Sequence, residues 1–466
     1  MTSAHAPARR RWAALLLCVS LLATGAMAWR MPATRQQELR VLLCGRNMAL
    51  GGDWLVPEFQ EHARLRKPPL AYWMAAVPMR ITGVTGSPGV ARIPFVLCSL
   101  ATVALLGCWA RGLAGGRAGA VALVLPLAAV GWWRHAALAE TDGPLLLCAL
   151  LTAWFLQQIL SGREGARPWL WAGLCTGLGL LAKGPAALIP WVAFAAARRL
   201  TPPPPAPLPS LRWISALALA LVIGLSWHAA LWAARDISPW TNSQLSADLP
   251  ATFTEKTAHR GSWPYYFYTL PKLLLPAGLL LPWVVWKSWR AARDAPGVRF
   301  LLAWLGSGFL LLTLLPSKQE HYALQLLPPC LLLAAALPEV NAPDRARRWL
   351  FLIPSTATAL ALAILAGLRL HDLQPLPAFL RECRPRTDAA PLVHVCGVNS
   401  ALFDFYLGRH VHNVDEPMQA WRRARSGEAV VLAAPAERFA AWQSIPSQPL
   451  KVLGAGGIHA ELHIKP

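Results

Sequence analysis

The sequence predicts an all-α polytopic membrane protein of about eleven transmembrane helices, followed by a small α/β segment at its C-terminus. Three observations predict it. Hydrophobic residues make up 55% of the 466 positions and charged residues only 14%, whereas a water-soluble domain is about a quarter charged. The apolar residues fall in runs long enough to cross a hydrocarbon layer about 30 Å thick. Basic residues gather in short stretches between alternate runs, as they do on the cytoplasmic side of membrane proteins.

The N-terminus carries Arg9-Arg10-Arg11 and then an apolar run over 12–29. It resembles a signal peptide, but the run is long enough to span, and an uncleaved first helix is expected. Further spans are expected at 89–110, 118–138, 143–160, 169–182, 185–197, 213–234, 265–286, 299–316, 322–339 and 349–369. The short pair 169–182 and 185–197 suits a bent hairpin around Lys183-Gly184-Pro185, so the count is good to one or two. Arg111 and Arg117, Arg163 and Arg167, then Arg198, Arg199 and Arg212 fall on the same side as the N-terminus. So do Lys287, Arg290, Arg293 and Arg299, and finally Arg345, Arg347 and Arg348. That side is expected to be cytoplasmic, with the N-terminus. The opposite side carries three longer segments, 30–88, 235–264 and 370–466.

Two domains are therefore expected: a membrane domain over 1–369 and an extracytoplasmic α/β domain over 370–466. The latter mixes β-like runs at 392–396, 429–432 and 451–453 with helical stretches near 401–407 and 418–425. The Pro-rich run 201–209 reads as a stiff linker. A net charge of +21 could attract nucleic acid, but the excess sits in short loops between spans, which excludes that reading. Nine cysteines show no metal-ligand spacing. Cys18, Cys98, Cys108, Cys148, Cys175 and Cys330 lie in apolar runs as small packing residues. Cys383 and Cys396 could pair if their side is oxidising.

Segment 30–88 breaks the charge rule. It carries Arg30, Arg35, Arg40, Arg46, Arg64, Arg66 and Lys67 with Glu38, Asp53, Glu58 and Glu61. It is too polar to span, yet Met48, Leu50, Trp54, Leu55, Val56 and Phe59 suit a helix-and-turn structure on the membrane surface. A basic cluster at headgroup level can hold a phosphate. It can equally touch anionic headgroups, and composition leaves both open.

The order of motifs in this segment resembles a known family. Glu38-x-Arg40, Arg46-x-Met48, Gly52-Asp53-Trp54-Leu55-Val56-Pro57 and Lys67-Pro68-Pro69-Leu70-x-Tyr72-Trp73 resemble the first outer loop of the polyprenyl-phosphate-sugar glycosyltransferases. These are the aminoarabinose-transferase and protein O-mannosyltransferase-like enzymes, with the C-type glycosyltransferase fold. Thr141-Asp142-x-Pro144-Leu145 and Gly177-Leu178-Gly179-x-x-x-x-Lys183-Gly184-Pro185 follow in the same order. So do His259-x-x-x-Trp263-Pro264-Tyr265-Tyr266 with Leu281-Pro282-Trp283, Ser317-Lys318-x-x-x-Tyr322-x-Leu324-x-x-Leu327-Pro328, and Phe405-Tyr406-Leu407-Gly408-Arg409. Essentially the whole chain is covered.

The resemblance implies a sugar donor on a long isoprenoid phosphate and a lipid or envelope-glycan acceptor on the outer face of the inner membrane, with membrane lipids around it and no nucleic acid. It implies that Arg40, Lys67 and the neighbouring Arg66 sit near the donor phosphate. Lys183, Arg260 and Lys318 are weaker candidates for the same anion pocket. Tyr322, Gln37 and His259 would line the substrate, and Asp142 would stand at the cavity edge. Two departures matter. The family commonly has Asp-Glu where this chain has Gln37-Glu38, and an amide cannot be a base at neutral pH. Glu38 is then the carboxylate expected as general base. Arg66 stands where aminoarabinose transferases have a metal-binding glutamate, which argues against a divalent metal; no cofactor is otherwise expected.

Each residue also has a plainer reading. Glu38 could pair with Arg35 or Arg40, Lys67 could be a snorkelling anchor, and Asp142 could cap the helix that follows it. Lys183 between two apolar runs demands an ion pair or a bound anion. Tyr265, Tyr266 and Tyr268 suit an interfacial aromatic belt, and Asp53 a turn cap. A transporter of lipid-linked sugars is the rival class. It would show related halves or helices interrupted at midplane, and the sequence shows no such pairing.

Overall fold

The computed structural model describes residues 21–163, 165–200, 210–234, 261–292 and 295–337. Beyond these it describes 375–388, 393–396, 399–414, 429–435, 451–455 and 458–463, with isolated residues between. The first part of the expected first span, most of the last, the run 201–209, the outer segment 235–260 and the side chain of Cys396 lie outside the described residues.

Four described helical segments are long and apolar enough to cross a membrane: Pro88–Ala128, Asp142–Leu160, Leu211–Ala233 and Pro296–Leu314. A 19-residue helix rises about 28 Å, close to the hydrocarbon thickness. The chain is thus a mostly helical, polytopic membrane protein. Helix α1 is Gln36–Ala49, α2 Leu70–Thr82 and α3 Pro88–Val124. Helix α3 is broken at Ala114 and Gly115, where Gly115 takes φ 86°. On a straight helix Gly107 and Gly119 would lie about 18 Å apart. Instead a Cβ on Gly107 would come within 3.5 Å of the Gly119 carbonyl oxygen. The chain therefore doubles back at Gly115, and α3 is a tight helical hairpin that accounts for two of the expected crossings.

The remaining membrane helices are α4 Val130–His135, α5 Asp142–Leu160, α6 Ala166–Lys183, α7 Ile189–Arg199, α8 Ser210–Ala233, α9 Tyr265–Leu273, α10 Leu281–Ala291, α11 Pro296–Leu314 and α12 Leu327–Ala336. Several expected spans are interrupted rather than continuous. Short 3-10 turns at Pro126–Ala128, Pro185–Leu188, Ala277–Leu280 and Glu320–Leu326 precede α4, α7, α10 and α12. The cause is local: Pro lacks an N–H and is tolerated only at the start of a helix, and Pro190, Pro282 and Pro328 all sit there. The pair expected as a bent hairpin parts at Gly184. Helix α6 packs on α5 and α8, whereas α7 packs on α11 and α5. Gly173 and Gly177 let α6 approach the backbone of α8 at Ala216 and Ala220, the small-residue contact by which membrane helices associate. Elsewhere in the bundle Trp109 stacks on Trp304, with ring centroids 6.3 Å apart.

The segment between the first helix and α3 is more than a surface coat. Helices α1 and α2 pack together, with a two-strand hairpin, β1 Glu58–Phe59 and β2 His62–Ala63, between them. Their apolar faces share one core with α14 Ser400–Leu407 from the C-terminal part, where Leu39, Leu42, Met48 and Tyr72 meet Phe403, Phe405 and Leu407. Arg46 donates to the carbonyls of Asp404 and Gly408, and the Tyr406 hydroxyl accepts from the Ala33 amide at 2.8 Å. The C-terminal part adds α13 Pro375–Thr387 and a five-stranded sheet. Strands β3 Val393–Cys396, β4 His412–Val414, β5 Ala429–Pro435, β6 Lys451–Ala455 and β7 Ile458–His463 lie in the order β4-β3-β5-β7-β6. β3 runs parallel to β4 and β5, whereas β7 is antiparallel to β5 and β6. Strands β4 and β7 are additions to the three runs read from the sequence.

Candidate active site

Asp142 opens α5 and Lys183 closes α6. The two helices are consecutive, antiparallel neighbours joined at their other ends, so these residues must meet at one end of the bundle. Their macrodipoles favour an acid at the first site and a base at the second. Lys183 Nζ lies 2.5 Å from Asp142 Oδ1, both side chains being largely buried. The ammonium also stands 5.0 Å over the Tyr322 ring. Asp142 Oδ2 and the Thr141 hydroxyl are buried without a hydrogen-bond partner among the described residues. A buried acceptor left unpaired costs about 1–3 kcal/mol, so these atoms point to a polar guest.

Beside them opens a small cleft lined by Gln37, Arg40, Val41, Arg64, Lys67, Tyr72 and Thr141. Arg40 comes from the middle of α1, and Arg64 and Lys67 from the stretch linking β2 to α2. The β-hairpin fixes that stretch, since the Arg64 amide bonds to the Pro57 carbonyl at 2.7 Å. Arg64 Nε donates to the Tyr72 hydroxyl at 3.3 Å. Arg40 Nε is buried without a partner among the described residues. Burial, with Arg64 and Arg66 nearby, pulls the Arg40 guanidinium below its ordinary value. Burial and the Lys183 charge bring Lys67 down to about 7. Burial and Lys183 push His321 down to about 3, which keeps its imidazole neutral. Cations gathered this closely repel one another and favour a bound anion.

The expected residues fare differently. Arg40, Lys67 and Gln37 line the cavity, and Asp142, Lys183 and Tyr322 form the adjoining group. Arg66 is exposed at the rim. Gln37 also donates to the Gln319 side chain at 3.3 Å. Asp53 accepts from the Leu55 amide at 2.7 Å, the cap expected of it. His259 and Arg260 lie outside the described residues. Among the described residues no three His, Cys, Asp or Glu side chains are grouped to hold a metal.

Two expectations need correction. Glu38, expected as general base, is 1% exposed and locked to Arg92, which is 0% exposed. Arg92 Nε and Nη2 donate to its two oxygens at 2.7 and 2.8 Å, and the Ala139 amide adds a third bond at 3.0 Å. Arg92 Nη1 reaches the carbonyls of Ala28 and Met31. This pair pins the helical stretch 21–30, α1, α3 and the stretch before α5 together, and neither carboxylate oxygen is free to take a proton. Lys318, expected in the anion pocket, donates to the carbonyls of Thr313 and Leu315 at 2.7 Å each. It caps the C-terminal end of α11, whose last carbonyls have no intrahelical partner.

Sequence reading named Arg64 only as one of the basic cluster in 30–88, and missed Arg92, His135, Glu140 and His321 as parts of this region. Arg92 was findable: an arginine inside an apolar run requires a buried acid. The others carry no local signal, because their roles come from chain segments that are distant in sequence.

The family described as dolichyl-phosphate-mannose-protein mannosyltransferase matches residues 66–228. An undecaprenyl phosphate-alpha-4-amino-4-deoxy-L-arabinose arabinosyl transferase of Edwardsiella ictaluri is 28% identical over 330 residues, 67% of this chain. The like-named protein of Pseudomonas paraeruginosa is 28% identical over 398 residues, 80% of this chain. The matches span 55% and 69% of those relatives' own lengths. The crystal structure of ArnT from Cupriavidus metallidurans superposes with a TM-score of 0.76 at 17% identity, covering 98% of each chain. Its complex with undecaprenyl phosphate fits equally well, at TM-score 0.76. The chain has the fold of that protein. In sequence and motif order it resembles the polyprenyl-phosphate-sugar glycosyltransferases of the aminoarabinose-transferase and protein O-mannosyltransferase-like kind, and its fold is that of the Cupriavidus metallidurans structure.

Proposed function

We propose that this protein is a membrane glycosyltransferase that moves a sugar from a polyprenyl-phosphate donor to a lipid or envelope-glycan acceptor. The proposal includes about eleven crossings, a cytoplasmic N-terminus and a site facing away from the cytoplasm at the bacterial inner membrane. The observation that carries it is the cationic cavity of Arg40, Arg64 and Lys67 beside the buried Asp142–Lys183 pair. In transfer the bond from the sugar anomeric carbon to the phosphate oxygen breaks, and negative charge grows on that phosphate. Fixed cations placed where charge develops lower the barrier, because they need no reorganisation at the moment of reaction. Arg40, with its unpartnered Nε, and Arg64 supply directional donors. Lys67 and Lys183 add point charges. Asp142 Oδ1 holds Lys183 in place, and its unpaired Oδ2 accepts a hydroxyl of the donor sugar. Gln37 orients through its amide rather than by proton removal. A divalent metal is no part of this reading.

The 3-10 interruptions beside Pro126, Pro185, Pro276 and Pro328 are a feature a transporter of lipid-linked sugars would share. A single experiment separates the classes. Purified protein in nanodiscs receives a polyprenyl-phosphate sugar and envelope lipid acceptors. Release of free polyprenyl phosphate with equimolar glycosylated acceptor supports the transferase. Donor movement across the bilayer without phosphate release supports the transporter. Neither activity, with donor binding intact, supports an inactive family member.

A further inference from the structure

Resting on the transferase reading, we propose that His135, oriented by Glu140, is the general base that takes the proton from the acceptor hydroxyl. Transfer to a hydroxyl needs such a group, and the nearby carboxylates are occupied or compromised. Glu38 is held by Arg92 and the Ala139 amide. Asp142 is in direct contact with the Lys183 ammonium, which lowers its appetite for a proton. Position 37, where the family's acid stands, is an amide.

Glu140 lies between Ala139, whose amide holds Glu38, and Thr141, which lines the cavity. Its Oε2 is 3.0 Å from His135 Nδ1, and its Oε1 is 3.6 Å from Arg35, two residues before cavity-lining Gln37. Burial pushes the Glu140 carboxyl up, but His135 and Arg35 outweigh that and hold it below the ordinary range. Its charge is felt at Lys67 and at His321, on the two sides of the site. In the neutral ring, Glu140 selects the His135 tautomer with the proton on Nδ1. The lone pair is then on Nε2, which has no hydrogen-bond partner among the described residues. His135 is partly exposed at the end of α4. Its neighbour Arg134 bonds Glu320 at 2.6 Å, beside His321 and Tyr322, so α4 ends against the turn that carries the site tyrosine. A carboxylate that orients a histidine toward a hydroxyl is a recurring base arrangement.

The step balances. The acceptor oxygen forms a bond to the anomeric carbon as the carbon–phosphate-oxygen bond breaks. The bonding pair leaves with polyprenyl phosphate, and the hydroxyl proton moves to His135 Nε2 and later to water.

The test compares parent, His135→Ala, His135→Asn and Glu140→Gln in nanodiscs with a polyprenyl-phosphate sugar and an envelope lipid acceptor. Binding of polyprenyl phosphate is measured in parallel as a check of folding. His135→Asn keeps a donor for Glu140 but lacks Nε2, so it covers the case in which the alanine variant fails to fold. Both His135 variants are expected to lose about 10²-fold or more in kcat with polyprenyl phosphate binding within about twofold of the parent. Added imidazole is expected to restore part of the rate to His135→Ala and none to His135→Asn. A folded His135→Asn with kcat near the parent's overturns this proposal alone. A parent that releases no polyprenyl phosphate overturns the transferase reading and this proposal with it.

Discussion

Removing the Glu38 carboxylate should damage the fold more than the chemistry. Glu38→Ala deletes the acceptor of two charge-assisted hydrogen bonds, at 2.7 and 2.8 Å, and of the Ala139 amide at 3.0 Å. It leaves the guanidinium of Arg92, which is 0% exposed, with only the carbonyls of Ala28 and Met31. Breaking a buried pair from one side costs about 3–5 kcal/mol, because the remaining charge has neither water nor a counter-ion. That is a large fraction of a typical folding free energy of about 5–15 kcal/mol. Replacing both partners by apolar residues of similar volume is often neutral. Glu38→Ala is therefore expected to lower the thermal midpoint in detergent clearly, and Glu38→Met with Arg92→Met to recover most of that loss. The deciding measurement is transfer by the recovered double variant. If Glu38 only holds Arg92, the double variant transfers sugar within about tenfold of the parent. A stable, donor-binding double variant with no measurable turnover would refute this reasoning and return Glu38 to the chemistry.

Lys67 makes phosphate binding depend on pH. Burial and the Lys183 charge bring its ammonium down to about 7, and a bound phosphate must raise that value. Polyprenyl phosphate affinity, measured between about pH 6 and 9, should therefore fall as pH rises through about 7, by up to tenfold per unit. Lys67→Arg should flatten the curve, and an unchanged slope in that variant would remove Lys67 from the phosphate. Asp142→Asn should weaken the hold on Lys183 and cost about 10²-fold in turnover, read as released polyprenyl phosphate with folding checked by size-exclusion chromatography. Lys318→Met should cost about 1 kcal/mol of stability through lost caps on α11, with transfer within about threefold of the parent; loss of donor binding would show that it belongs to the site. Arg40→Ala should weaken polyprenyl phosphate binding about tenfold or more without lowering the thermal midpoint.

The sequence by itself determined that lipid is the solvent, because too few polar side chains are present to cover these helices. It also marked 30–88 as chemically unusual, since basic and acidic residues gather there in a stretch too polar to span. Arg40, Lys67, Asp142, Lys183 and Tyr322 were legible through motif order, and the structure gathers them at one end of the bundle. Their pairing was not legible. Whether an acid is a base or an anchor depends on what is packed against it, and Glu38 meets Arg92 54 residues further along the chain. Lys318 looked like its fellow cations until α11 ended beside it with open carbonyls. The C-terminal part read as a separate domain, yet α14 shares a core with α1 and α2. Periodicity reports which face of a helix is apolar but not which partner covers it. Charge and hydrogen bonding act over a few ångströms of space, whereas sequence records only separation along the chain; only the tertiary fold converts one into the other.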